Sequence, residues 1–74
     1  MRITNYKGRE ILARVTDSYQ HKGKMLVTVG VSRKGGSYNA GIACGFEDTC
    51  DLEAVPQVIQ ELQETAARWI DENG

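Results

Sequence analysis

The sequence predicts an α+β fold: a four-stranded antiparallel β-meander with one C-terminal α-helix packed on one face, ββββα in chain order and two layers thick. Two patterns carry that prediction. Short segments of period-two alternation, separated by glycine-bearing turns, fill the first 46 residues, and apolar side chains spaced three and four apart replace them after residue 55. Size adds a third constraint. The 74 residues are expected to form a single domain, 1–74, with a small core, since chains of this length bury only about 60% of their unfolded surface.

The first strand, residues 2–6 ("RITNY"), ends at the turn formers Lys7-Gly8. The second, residues 10–18, alternates Ile11, Ala13 and Val15 against Leu12, Arg14 and Thr16. "YQHKGK" makes a polar loop. In the third, residues 25–33, Met25, Val27, Val29 and Val31 alternate with Leu26, Thr28, Gly30 and Ser32, a pattern rich in β-branched side chains. "RKGG" at residues 33–36 supplies the positive φ that tight hairpins require, so a hairpin tip is expected there. In the fourth strand, residues 37–46, Tyr38, Ala40, Ile42, Cys44 and Phe46 share an apolar face, opposite the nearly bare Asn39, Gly41, Ala43 and Gly45.

The helix follows at residues 56–72, preceded by a turn from residue 52. Val55, Val58, Ile59, Leu62, Ala66, Trp69 and Ile70 form one apolar stripe, while Gln and charged residues occupy the other side. Pro56 suits the first helical turn and disfavours helical geometry at the residue before it. The stripe is expected to cover the apolar face of the sheet.

Composition places the chain among ordinary globular domains, with 41% hydrophobic and 26% charged residues. No apolar run approaches the roughly 20 residues needed to span a bilayer, so no membrane association is expected. "MRITNYKGRE" lacks the apolar stretch of a secretory signal, and two cysteines do not make a disulfide framework. The expected compartment is the cytoplasm.

Charge is strongly partitioned. Residues 1–46 carry eight basic and two acidic side chains, whereas residues 47–74 carry eight acidic ones against Arg68 alone. In a meander the Lys7-Gly8-Arg9 and Arg33–Gly36 turns share one rim. Four cations therefore gather there, and a helix running back from the fourth strand brings Asp71 and Glu72 toward them. Glu47, Asp48 and Asp51 fall near Lys22 and Lys24 at the opposite end, where they also suit the positive pole of the helix.

Catalytic and metal chemistry find no foothold in these residue types. His21 is the only histidine and sits in a polar loop without an orienting partner. Cys44 and Cys50 do not have a zinc or redox spacing; Cys44 reads as core, and the acids around Cys50 oppose a reactive thiolate. "RKGGSYNAGIACG" contains neither a Walker pattern nor G-x-G-x-x-G, and it leads into a strand rather than a helix. A protein that is not an enzyme, without cofactor or metal, is expected.

Binding is the remaining class. Glycine inside strands marks a bulge or a close backbone approach, here at Gly30, Gly41 and Gly45. Residues 35–46 contain no charge, although strand edges are normally protected by lysine, proline or bulges. Either residues 2–6 cover this strand by a non-meander route, the favoured reading, or it pairs with a second copy of the chain or a target strand. Arg33, Lys34, Tyr38, Asn39, Gly41 and Ala43 are the candidate contacts with a protein partner.

In a second reading Lys7, Arg9, Arg33 and Lys34 grip nucleic-acid phosphates while Tyr6 or Tyr38 stacks on a base. Few aromatics, a pI of about 5.7 and an acidic helix argue against it. The order of sheet and helix resembles double-stranded-RNA-binding domains. Their first helix is missing here, however, and Asp51, Glu53 and Gln57 stand where they carry lysines, so their function does not transfer. In size and layout, over the whole chain but through no specific motif, the sequence looks like small phage-encoded inhibitors, including some anti-CRISPR proteins. That resemblance implies a host protein complex as target and inhibition by occlusion. The expected function is therefore a small protein-binding module, monomeric or homodimeric, acting as adaptor or inhibitor of a larger intracellular complex, with nucleic-acid binding as the alternative.

Overall fold

The computed structural model describes residues 2–73. Strands β1 (Arg2–Tyr6), β2 (Arg9–Asp17), β3 (Met25–Ser32) and β4 (Ile42–Cys50) form one antiparallel sheet in the order β1-β2-β3-β4, and helix α1 (Val55–Asn73) follows. Single 3-10 turns occupy Tyr38–Ala40 and Leu52–Ala54. The predicted α+β meander with a C-terminal helix on one face is the observed architecture.

Local chemistry explains the joins. Lys7 and Gly8 both have positive φ, 50° and 80°, between the paired residues Tyr6 and Arg9. Positive φ at both central positions defines the type I′ turn, whose twist matches that of the strands it connects. Ile11 and Ala13 of β2, Val27, Val29 and Val31 of β3, and Val58, Ala66 and Ile70 of α1 are buried between the layers. Tyr6, Cys44, Phe46, Ile59, Leu62 and Trp69 pack around most of them. Burying a Val or Ile side chain stabilises by about 1.5–3 kcal/mol, which is why the alternating face of this sheet holds a helix against it.

The fourth strand departs from expectation. It begins at Ile42 rather than 37 and runs on to Cys50, while Tyr38–Ala40 is helical. Gly41, with φ of 130°, breaks the extended run in a conformation that disfavours any side chain. The Ala40 N–H instead donates to Ser37 O and the Gly41 N–H to Tyr38 O. A bulge then reverses the phase: Val31 stands opposite Cys44 but Ser32 opposite Ile42, leaving Ala43 as the extra residue. Cys44 and Phe46 consequently face α1, as expected, whereas Tyr38 and Ile42 go to the opposite face. Ile42 lies across Gly30, its Cδ1 3.4 Å from where a Cβ would stand.

Two further corrections follow. β1 pairs with β2 at the far edge, so the non-meander cover expected for β4 is absent and β4 pairs with β3 alone. "RKGG" is a turn, with Gly35 at φ of 74° and the Gly36 N–H donating to Arg33 O at 2.9 Å, but it opens a nine-residue connection instead of a tight hairpin tip.

Candidate functional site

Among the described residues, none forms a second layer on the face of the sheet opposite α1. One cross-strand row reads Ile3–Leu12–Gly30–Gly45, and the next reads Arg14–Thr28–Glu47. Gly30 and Gly45 stand directly opposite one another, so two adjacent strands present backbone where side chains would otherwise project. The result is an open depression of about 560 Å³, with Leu12, Ile42 and Tyr38 as its apolar lining and Arg14, Thr28 and Glu47 as its polar lining.

Geometry at Gly45 is informative because the fold does not demand glycine there. Its φ is not positive, and an added Cβ would meet nothing closer than Val29 O at 3.6 Å, an ordinary contact. Gly41 is the opposite case. Its φ is forbidding, and a Cβ would stand 3.3 Å from Arg33 Nε.

Tyr38 is held at the end of the depression by a relay of hydrogen bonds. The fully buried Ser32 hydroxyl accepts from the Glu10 N–H at 2.9 Å and donates to Gly36 O at 3.0 Å, and the Glu10 carboxylate accepts from the Tyr38 N–H at 2.9 Å. These bonds pin the 33–41 connection to the start of β2. Of the six contacts expected from sequence, Tyr38 lines the depression and Ala43 is exposed on the bulge of β4. Arg33 folds against Gly41, and Lys34 and Asn39 are exposed on the connection. Leu12, Arg14, Thr28, Ile42 and Glu47 were not among the expected contacts; the signal for them is the strand register that sets Gly30 against Gly45.

The fold engages two of the four rim cations. Lys7 Nζ lies 2.5 Å from Asp71 Oδ1, and the Tyr6 hydroxyl donates to the same carboxylate at 3.0 Å. That ion pair and hydroxyl hold the Asp71 carboxyl below its usual range, and Asp71 in turn raises Lys7. Arg9 is turned inward and only 7% exposed, its Nη1 donating to Ser32 O at 3.1 Å and its guanidinium 5.3 Å above the Trp69 ring. Arg9 is therefore not placed to grip a phosphate. Of the four rim cations, Lys7 is paired with Asp71 and Arg9 is buried, while Arg33 and Lys34 are exposed.

At the other end Lys24 pairs with Asp51 at 2.5 Å, which raises the lysine. Glu47 and Asp48 lie on β4 and, with Thr49, line a depression beside residues 18–21 of the β2–β3 loop, while Asp51 takes the lysine. His21 is exposed in the β2–β3 loop, and its N–H donates to Ser18 Oγ. Cys44 and Cys50 are free thiols, and burial pushes Cys44 up in spite of the Arg9 charge nearby. Among the described residues, His, Cys, Asp and Glu side chains do not gather in threes around a common point.

No protein-family model matches the chain, and no curated protein or solved structure is significantly similar to it. Among the described residues, no helix is long and apolar enough to cross a membrane.

Proposed function

We propose that this chain is a small non-enzymatic protein-binding module that captures a larger cytoplasmic protein through the uncovered face of its sheet. The observation that carries the reading is the Gly30–Gly45 pair: a backbone floor beside Leu12, Ile42 and Tyr38, with glycine at 45 where the fold leaves space for a side chain. Strand interiors are weakened by glycine, so a glycine without a structural need implies that something else requires the space. Apolar concavities with a polar rim are where protein contacts anchor large side chains. Arg14 and Glu47 supply such a rim, and Tyr38, Asn39 and Lys34 continue it along the 33–41 connection.

A module of this kind acts by occlusion, as an adaptor or an inhibitor, the second being the role that its resemblance in size and layout to small phage-encoded inhibitors implies. Affinity capture from the native host, with the wild-type chain and Gly45→Glu side by side, tests the reading. A partner retained by the first and lost by the second, with both variants folded by circular dichroism, is the expected result. Equal capture by both removes the sheet face from consideration. Sedimentation of the free protein establishes whether the binding unit is one chain or two. Binding of DNA or RNA at low ionic strength would instead favour the nucleic-acid alternative.

A further inference from the structure

We infer that the groove between the free edge of β4 and helix α1 takes up an extended, basic segment of the partner as a fifth strand, an inference that rests on the protein-binding reading above. β4 is the last strand of the sheet and pairs only with β3, so the backbone groups on its other side are open to a further strand. α1 flanks that edge. Phe46 and Trp69 line a shallow groove of about 340 Å³ between them, together with Thr65, Arg68 and Glu72. An added strand would thus find backbone partners on one side and an apolar slot for one of its side chains beneath.

Charge identifies the occupant. Asp48 is exposed on the same face of β4 as Phe46, two residues along, and Glu47 is exposed on the other face. Glu61 is exposed one turn before Thr65 on the same side of α1, and Glu72 lines the groove itself. None of these four carboxylates takes part in the ion pairs among the described residues, which use Asp71 and Asp51. Arg68 is the cation that lines the groove, and Arg14 shares the opposite face of the sheet with Glu47. Four unneutralised acids along an open edge call for lysine or arginine on the incoming strand.

Alternation then orders its residues. An apolar side chain enters the Phe46–Trp69 slot, a basic one two positions away meets Asp48, the one between them meets Glu47, and the neighbour on the other side of the apolar residue passes over Gly45. A second copy docked by the same edge is disfavoured, because β4 carries Glu47 and Asp48 and no cation.

Trp69 is the only tryptophan, so its emission reports occupation of the slot. The probe is an acetylated, amidated heptapeptide alternating lysine with threonine around a central valine. It is compared with the same peptide carrying glutamate for lysine, and with one N-methylated at alternate amides so that it cannot pair as a strand. The basic peptide is expected to change Trp69 emission and shift the amide resonances of residues 42–48. Its affinity should fall about tenfold between roughly 50 and 500 mM NaCl. Both control peptides, and Asp48→Lys with the basic peptide, should bind about tenfold more weakly. Equal binding of the N-methylated peptide, indifference to charge, or association of the free protein through β4 overturns the inference. The capture experiment separates the two claims: a partner lost in Gly45→Glu, with no response to the basic peptide, sinks the groove and leaves the sheet-face reading standing.

Discussion

Replacing Gly45 by threonine should strengthen the fold and abolish partner binding at the same time. Glycine in a strand interior costs about 0.5–1 kcal/mol relative to alanine through backbone entropy, and β-branched residues gain further in extended conformation. At Gly45 nothing offsets that gain. Backbone φ is not positive and the nearest atom to a new Cβ is Val29 O at 3.6 Å, so no neighbour has to move. The cross-strand partner is Gly30, which has no side chain to reward the change, so the benefit is limited to about 1 kcal/mol. For 74 residues the entropy of unfolding is on the order of 0.15 kcal/mol/K, so Tm should rise by about 6 °C. The threonine methyl and hydroxyl would meanwhile fill the floor of the depression and hold a partner away from it. Thermal denaturation by circular dichroism, paired with partner capture, gives both numbers. A fall in Tm would show that Gly45 serves the backbone, and a rise in Tm with capture intact would show that the partner does not use the space.

Three other substitutions probe the structure beneath the site. Ser32→Ala removes the acceptor of the Glu10 N–H and the donor to Gly36 O, and should cost about 2 kcal/mol, seen as a Tm lower by roughly 12 °C. Arg9→Lys keeps the charge but loses the flat stack over Trp69; a cost of about 1 kcal/mol in urea denaturation and an altered Trp69 emission are expected. Asp71→Asn tests linkage. The folded carboxyl titrates below its usual range, so its stabilising effect is complete above that range and is lost as pH falls from it through the lower folded value. The variant should show a shallower loss of stability across that window at low salt, and unchanged steepness would mean that the contact to Lys7 and Tyr6 does not form in solution.

Elements whose burial alternates simply were legible from residues alone. β2 and β3 each set one β-branched face against α1, and the helix stripe from Val58 to Ile70 has no competing period, so their predicted limits agree with the structure to within a residue. The fourth strand failed for a specific reason. "SYNAGIACGF" alternates in sequence across a 3-10 turn, a glycine at φ of 130° and a bulge, three departures from extended geometry that side-chain polarity does not register. The strand's continuation through "EDTC" has no signal, because a run of polar residues says nothing of backbone pairing at an exposed edge. The candidate site suffered in turn: bare glycines pointed to the right face, but the register that sets Gly30 beside Gly45 and swings Ile42 over it depends on that bulge. Arg9 illustrates a different limit. Its place in a charged turn suggested exposure, and only the approach of Trp69, sixty residues later in the chain, turns it inward.

The order of elements along the chain has a consequence for how the protein is made. Every strand pairs with its neighbour in sequence, so the sheet is assembled from local contacts, a topology that folds quickly once its core can close. Closure depends on Ala66 and Ile70, which pack on Val29 and Val31 from the far end of the last element. A nascent chain that has exposed all four strands but not α1 presents its valine face and both sheet edges to solvent or to a chaperone. Folding is therefore gated by release of the helix from the ribosome, and a translational pause ahead of Ala66 would lengthen the interval in which the chain can aggregate.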